Sequence, residues 1–216
     1  ISNSGTIKTS DTGPAPITAG KAWDGTIEYA GSSAQTVVGG TYENLTMSGA
    51  GGGTLGDDIT VNGVLNLSHV NPLSTKGILH TATDTLFMGA SASTTGSGDV
   101  TGIVKREHTF NIGQEYDFGN QYTSINFMGV SGATQSSWIS CRIDIGSAPG
   151  WRSSAVKRYY SFSQSGGNDR VTTKLHYLDS ELDAGEPDET KLMFWGAWSG
   201  PSYANQVPRG KTTYNT

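Results

Sequence analysis

The chain has 216 residues, enough for one large or two small domains. Only 34% of them are hydrophobic and 15% charged, while glycine alone contributes 30. A disordered chain leans on charge and proline instead, so this composition suits many short strands with small turn residues. The net charge of −5 and the absence of a basic stripe speak against nucleic acid as a partner. There is no uninterrupted apolar run of about 18 residues to span a membrane as a helix. One cysteine, Cys141, cannot form an internal disulfide. A cysteine-poor, Ser/Thr/Gly-rich β protein fits a bacterial or archaeal cell surface. A chain that begins at Ile1 reads as a processed secreted protein or a piece of a longer one.

From the N-terminus, period-2 segments recur with no helical stripe: GTIKT at 5–9, GTIEYA at 25–30, TYENLTM at 41–47, DITVNGVLNL at 58–67 and DTLFM at 84–88. Gly or Asn-Gly punctuates them. Their starts are about 15–25 residues apart, the range in which repeats indicate a solenoid. Each coil of a solenoid buries its apolar face only against a neighbouring coil. Ile7, Ile27, Val37, Leu45, Ile59, Val61, Leu65, Leu67 and Leu86 are the expected inward residues.

Residues 98–119 are transitional. From about 122 the strands lengthen and aromatics become denser: TSINFMGV, SWISCRIDIG, VKRYYSFSQSG, RVTTKLHYLD and TKLMFWGAW. Alternation between Gly, Ser, Asn and Asp turns is the pattern of an antiparallel β-sandwich. The expected fold is therefore all-β, a short parallel β-solenoid (β-helix) over 1–105 followed by a β-sandwich module, possibly incomplete, over 106–216.

Residues 25–67 resemble the repeat of very large secreted surface proteins of the Bacteroidetes and Chlorobi groups. The pieces that carry the resemblance are GTIEY at 25–29, AQTV at 34–37, YENLT at 42–46 and ITVNGVL at 59–65. The second half is similar to the module that follows such repeats, through VKRYYSF at 156–162, KLHYLDSEL at 174–182 and the Trp-containing strand at 192–198. The resemblance implies an adhesin-like or matrix-like surface protein with no catalytic residues. It also implies further sandwich strands, so the module ending at Thr216 is expected to be truncated or completed from elsewhere.

Several motifs bear on chemistry. GGGTLG at 51–56 has the glycine spacing of a dinucleotide loop, but a strand-like segment follows where a helix is needed; it reads as a turn. The run 179–189, DSELDAGEPDE, places Asp179, Glu181, Asp183, Glu186 and Asp188 at spacings that suit Ca²⁺, against the plainer reading of a solvated acidic turn. Calcium is the one cofactor the sequence suggests. Trp195, Trp198 and Tyr203, with Trp151, Tyr159 and Tyr160, form either a sugar-stacking platform or sandwich core and rim. His69, His80, His108 and His176 have no ligand spacing. Glycoside hydrolysis needs paired carboxylates across a groove, and the solenoid half shows the adjacent Asp57 and Asp58 and little else of that kind. Cys141 reads as a small core residue. The triplets at 44–46 and 66–68 match the N-glycosylation pattern inside expected strands.

These readings converge on a secreted structural or adhesive surface protein rather than an enzyme, a filament subunit assembled by strand addition to copies of itself or to other surface proteins. The alternative is a carbohydrate-binding module. Gly5, Thr6, Ile7, Lys8 and Thr9 are the expected donor strand, with capping of the chain's own solenoid as the competing role.

Overall fold

The computed structural model describes residues 4–68, 78–132, 134–148, 155–182, 193–197 and 206–211. Among these there is no α-helix and a single 3-10 turn, Asp179–Glu181. The first ten strands are β1 (Thr6–Thr9), β2 (Lys21–Tyr29), β3 (Gln35–Val37), β4 (Gly40–Met47), β5 (Gly53–Leu55), β6 (Ile59–Val61), β7 (Val64–Asn66), β8 (Leu79–Met88), β9 (Ser93–Thr95) and β10 (Val100–Glu107). They wind as a parallel β-solenoid of about 5 turns.

Three parallel ladders make the coil walls. One stacks Ile7, Ile27, Leu45, Leu65 and Thr94. A second stacks Trp23, Tyr42, Val61 and Met88. A third stacks Gly53, Leu79 and Val100, with β3 pairing along β5. Steps of 20, 18 and 20 residues separate Ile7, Ile27, Leu45 and Leu65. A strand exposes alternate side chains to alternate faces, so this register makes like stand over like inside the coil. Ile27, Val37, Leu45, Ile59, Val61, Leu65, Leu67 and Leu86 are all buried as expected, joined by Tyr29, Tyr42, Leu55 and Leu79. Each such apolar side chain contributes about 1.5–3 kcal/mol relative to exposure. Ile7 departs from the expectation: it is 40% exposed, because β1 pairs only with β2 and no described coil lies beyond it.

The interior is not wholly apolar; most of its polar groups are paired, and the Thr94 hydroxyl is a buried exception. Tyr42 Oη donates to Val38 O at 2.6 Å, Val38 N–H donates to Tyr29 Oη, and the two hydroxyls meet at 3.2 Å. Gln35, 2% exposed, donates to Thr9 O and Asp11 O and accepts from Gly31 N–H. It thereby clamps the segment after β1 onto the first coil. The glycine-rich corner that follows β4 reflects close approach rather than flexibility. A Cβ on Gly51 would stand 1.9 Å from the Ser33 carbonyl carbon, and one on Gly49 would stand 2.3 Å from Gly31 O.

The C-terminal end of the coil is closed by a buried cation. Arg106 is fully buried above Met88. Its guanidinium donates to Gly89 O, Ala92 O, Asp117 O and Asp117 Oδ1 at 2.6–2.8 Å and lies between the Tyr116 and Phe118 rings. Burial pushes the Asp117 carboxyl up and the Arg106 guanidinium down, each opposed by the charge of the other.

Beyond β10 the pairing turns antiparallel. β13 (Trp138–Ile145) lies against β10, with Glu107 opposite Trp138, and β14 (Arg158–Gln164) lies beside β13. A separate sheet has the order β11 (Glu115–Asp117), β12 (Ser124–Val130), β15 (Asp169–Lys174), again antiparallel. β16 (Met193–Ala197) and β17 (Gln206–Lys211) form a hairpin. Residues 1–144 with 160–176 form one compact unit, and 145–159 with 177–216 another. That division does not follow the expected boundary at 105, since β10 pairs on one edge with the solenoid and on the other with β13.

Two substitutions test this account. Gly51→Ala forces backbone apart and is expected to destabilise by more than the ~1 kcal/mol typical of a point change. Arg106→Ala leaves Asp117 buried and unpaired, an expected loss of about 3–5 kcal/mol. Urea unfolding followed by tyrosine and tryptophan fluorescence measures both. A loss below ~1 kcal/mol in either would remove that residue from the account.

Candidate functional site

Asp57 and Asp58 sit at the corner between β5 and β6, lining a cleft of about 270 Å³ with Pro14, Gly20, Thr36 and Gly39. Each carboxylate accepts a backbone bond: Asp57 Oδ1 from Asp58 N–H at 2.8 Å, and Asp58 Oδ1 from Thr85 N–H at 2.7 Å. The first caps the turn. The second ties one coil to the next. The glycine run 51–56 forms a turn and β5, and the strand β6 follows it, so no helix N-terminus is presented to a phosphate. Asn44, the first glycosylation-pattern asparagine, spends its Oδ1 on Val64 N–H at 2.9 Å.

The acidic run is partly visible. Asp179 is exposed in the 3-10 turn. Glu181 is 6% exposed, and its two oxygens accept from Arg158 Nε and a terminal guanidinium nitrogen at 2.8 Å each. Glu181 Oε2 also accepts from Leu178 N–H. This bidentate pair has the geometry that favours arginine over lysine. It gives Glu181 a structural partner that the acidic pattern did not reveal. Asp183, Glu186 and Asp188 lie outside the described residues, as do Trp198, Tyr203 and Trp151. Trp195 belongs to β16. Among the described residues no three His, Cys, Asp or Glu side chains converge as a metal site would require. Cys141 is fully buried in β13, and burial pushes its thiol far up.

Gly5 precedes β1, and Thr6, Ile7, Lys8 and Thr9 form it, in parallel register with Thr26, Ile27, Glu28 and Tyr29 of the same chain. Lys8 Nζ binds Glu28 Oε1 at 2.7 Å. In this structure the expected donor segment therefore occupies the end of its own solenoid.

Two surface arrangements escaped the sequence reading. On the outer face of the main sheet, Lys105 Nζ stands 5.4 Å from the Phe87 ring centre and 4.9 Å from that of Trp138, and it binds Glu107 at 2.7 Å. On the three-stranded sheet, Glu115, Ser124, Asn126, Met128, Thr172 and Lys174 line a shallow depression, with Glu115 bound to Lys174 and Ser124. These contacts hold Glu115 below the usual carboxylate range, the Lys174 bond contributing most.

His108 follows β10 and packs against Phe110 and Tyr116, with ring centres 4.5 and 5.1 Å away. Its Nε2 is buried without a partner.

The chain matches no family model, no curated protein and no solved structure. Its function is therefore argued from geometry.

Two measurements check this picture. A buried thiol with a raised pKa is not a nucleophile, so Cys141 is expected to resist a thiol-specific disulfide reagent in the native protein and to react fully in urea. Rapid native labelling would contradict its burial. Desolvation, the main influence on His108, holds its pKa below the ordinary imidazole value. A depressed histidine favours the fold while neutral, so its contribution is complete above about pH 6.5 and is lost as pH falls. Thermal midpoints are expected to fall from pH 7.5 to about pH 5.5, and less steeply in His108→Phe. Identical pH profiles for the two proteins would reject the assignment.

Proposed function

We propose that this chain is a secreted structural or adhesive surface protein of a bacterial or archaeal cell, and not an enzyme. One observation carries the reading: the repeated phrase is consumed by coil stacking. Tyr29 and Tyr42 satisfy each other and the backbone inside the coil, and Gln35 satisfies backbone groups alone. Asn44 and Asp58 bridge successive coils, and the β-branched residues fill the interior. None of these groups is left for catalysis. A scaffold built this way presents long rows of outward polar side chains at strand spacing, which suits extended contact rather than turnover.

The second half fits a sandwich module. The sheets β10–β13–β14 and β11–β12–β15 are its two layers in this reading, with Phe110 against Phe127 as a core contact and Phe118 meeting the exposed Phe162 at the rim. Self-assembly into an extracellular filament, with residues 5–9 as donor, is the strongest form of the proposal. β1 suits it in that three of its four residues are exposed where it lies, so its own side chains lose little burial on leaving.

Electron microscopy and sedimentation of the full chain test the assembly form. Filaments that disappear on deletion of residues 1–13, with the truncated chain still folded by circular dichroism, are the expected result. A truncated chain that polymerises equally well, or a full chain that stays monomeric at high concentration, overturns donor-strand assembly.

A further inference from the structure

β15 is one of the open edges among the described strands of this unit. Five of its six residues are exposed, on both faces of the sheet. Its outward backbone groups can be identified. Phe127 N–H donates to Gln114 O on the β11 side, so at the pair Phe127–Val171 the backbone groups of Val171 point away from β12. Alternation places those of Asp169 and Thr173 outward as well, consistent with Asn168 O accepting from Ser131 N–H on the inner side. Among the described strands β15 pairs with β12 alone, so three residues at alternating positions offer an unfilled ladder.

The side chains on this edge also select what fills it. On the face shared by Arg170, Thr172 and Lys174, Lys174 is neutralised by Glu115 at 2.8 Å, while Arg170 is exposed and makes no ion pair among the described residues. On the opposite face Val171, 40% exposed, extends the apolar surface of buried Phe127. At the head of the strand, Asp169 Oδ1 accepts from Ser136 N–H, while Oδ2 is buried without a partner. The edge is thus cationic on one face, through Arg170, and apolar on the other, through Val171.

We propose that the open edge of β15 is a docking site for an extended acidic peptide strand from a partner protein. The guest adds as the fourth strand of β11–β12–β15. It sets a carboxylate beside Arg170 and an apolar side chain beside Val171. A second copy of this chain is a poorer occupant: two β15 edges bring the Arg170 of both copies onto one face, and like charges across strands are destabilising. The chain's own β1 carries Lys8 and is mismatched in the same way. The proposal goes beyond the surface-protein reading and holds whether or not the chain builds filaments.

Two fluorescein-labelled octapeptides test it on the full chain, one alternating Glu and Val, the other Lys and Val. Fluorescence anisotropy is expected to show the acidic peptide binding at least about tenfold more tightly than the basic one, with the preference weakening as salt rises. Val171→Pro removes an outward N–H without cutting a bond to β12, a substitution that edges tolerate; it should keep the wild-type circular dichroism and lose binding. Arg170→Glu should reverse the preference between the peptides. Failure of both peptides to bind, equal affinity for the two, or unchanged binding by folded Val171→Pro each overturns the proposal. Concentration-dependent dimerisation in sedimentation, abolished by Val171→Pro, assigns the edge to a second copy instead and overturns it as well.

Discussion

Everything in the first half of this protein depends on coil-to-coil register. In a parallel ladder each strand hydrogen-bonds to the next at fixed spacing, and a slip of one residue turns every inward side chain outward. Ile27 stands over Ile7, Leu45 over Ile27 and Leu65 over Leu45, and the corners between strands absorb the differing step lengths so that inward positions remain inward. The same demand explains the corners. Gly49 and Gly51 sit where the backbone of one coil touches that of the previous one, and no side chain fits there. Where the chain needs an irregular corner inside a strand, it accepts a left-handed residue: Ala82 at φ 54° marks the register shift between β8 and β10.

Stacking also creates a problem at each end, because the last coil has no neighbour. The two ends are handled differently. At the N-terminal end Gln35 holds the incoming chain by its carbonyls, and Ile7 remains partly in water. At the other end Arg106 takes the place of another inward apolar side chain. It gathers four acceptors from Gly89, Ala92 and Asp117. A buried pair of this sort is weak evidence for added stability against an apolar plug. What it adds is direction, because a guanidinium with several fixed acceptors has one arrangement, and so positions β11 against the coil.

The solenoid was legible in the sequence because its physics is local and periodic. Alternation, glycine punctuation and a steady interval are visible in residues 25–67, and they are also what the ladders require. The closure was not legible. In the segment VTGIVKREH, Arg106 occupies the fourth inward position after Val100, Gly102 and Val104, but a charged residue beside Lys105 and Glu107 reads as a surface run. Strict parity was the available signal. The pair Arg158–Glu181 was hidden for another reason: its members are distant in sequence, and Glu181 stands in an acidic run that suggests solvent or a cation. The exposure of β15 could not be read either, since RVTTK has the same texture in a covered strand as at an open edge.

The separation between repeating wall and single closure has a geometrical consequence. Gly40 pairs with Ile59, and Leu45 with Leu65, so the segment from 40 to 58 is one full circuit of the wall. Excising it would leave Ile59 beside Lys21 and Leu65 over Ile27, in unbroken register, with Gln35 and Arg106 still at their own ends. Each circuit adds one inter-strand spacing, about 4.8 Å. The dimension of this unit along the stack is therefore quantised, and gain or loss of a single circuit by recombination changes its reach by one such step while leaving both ends chemically the same.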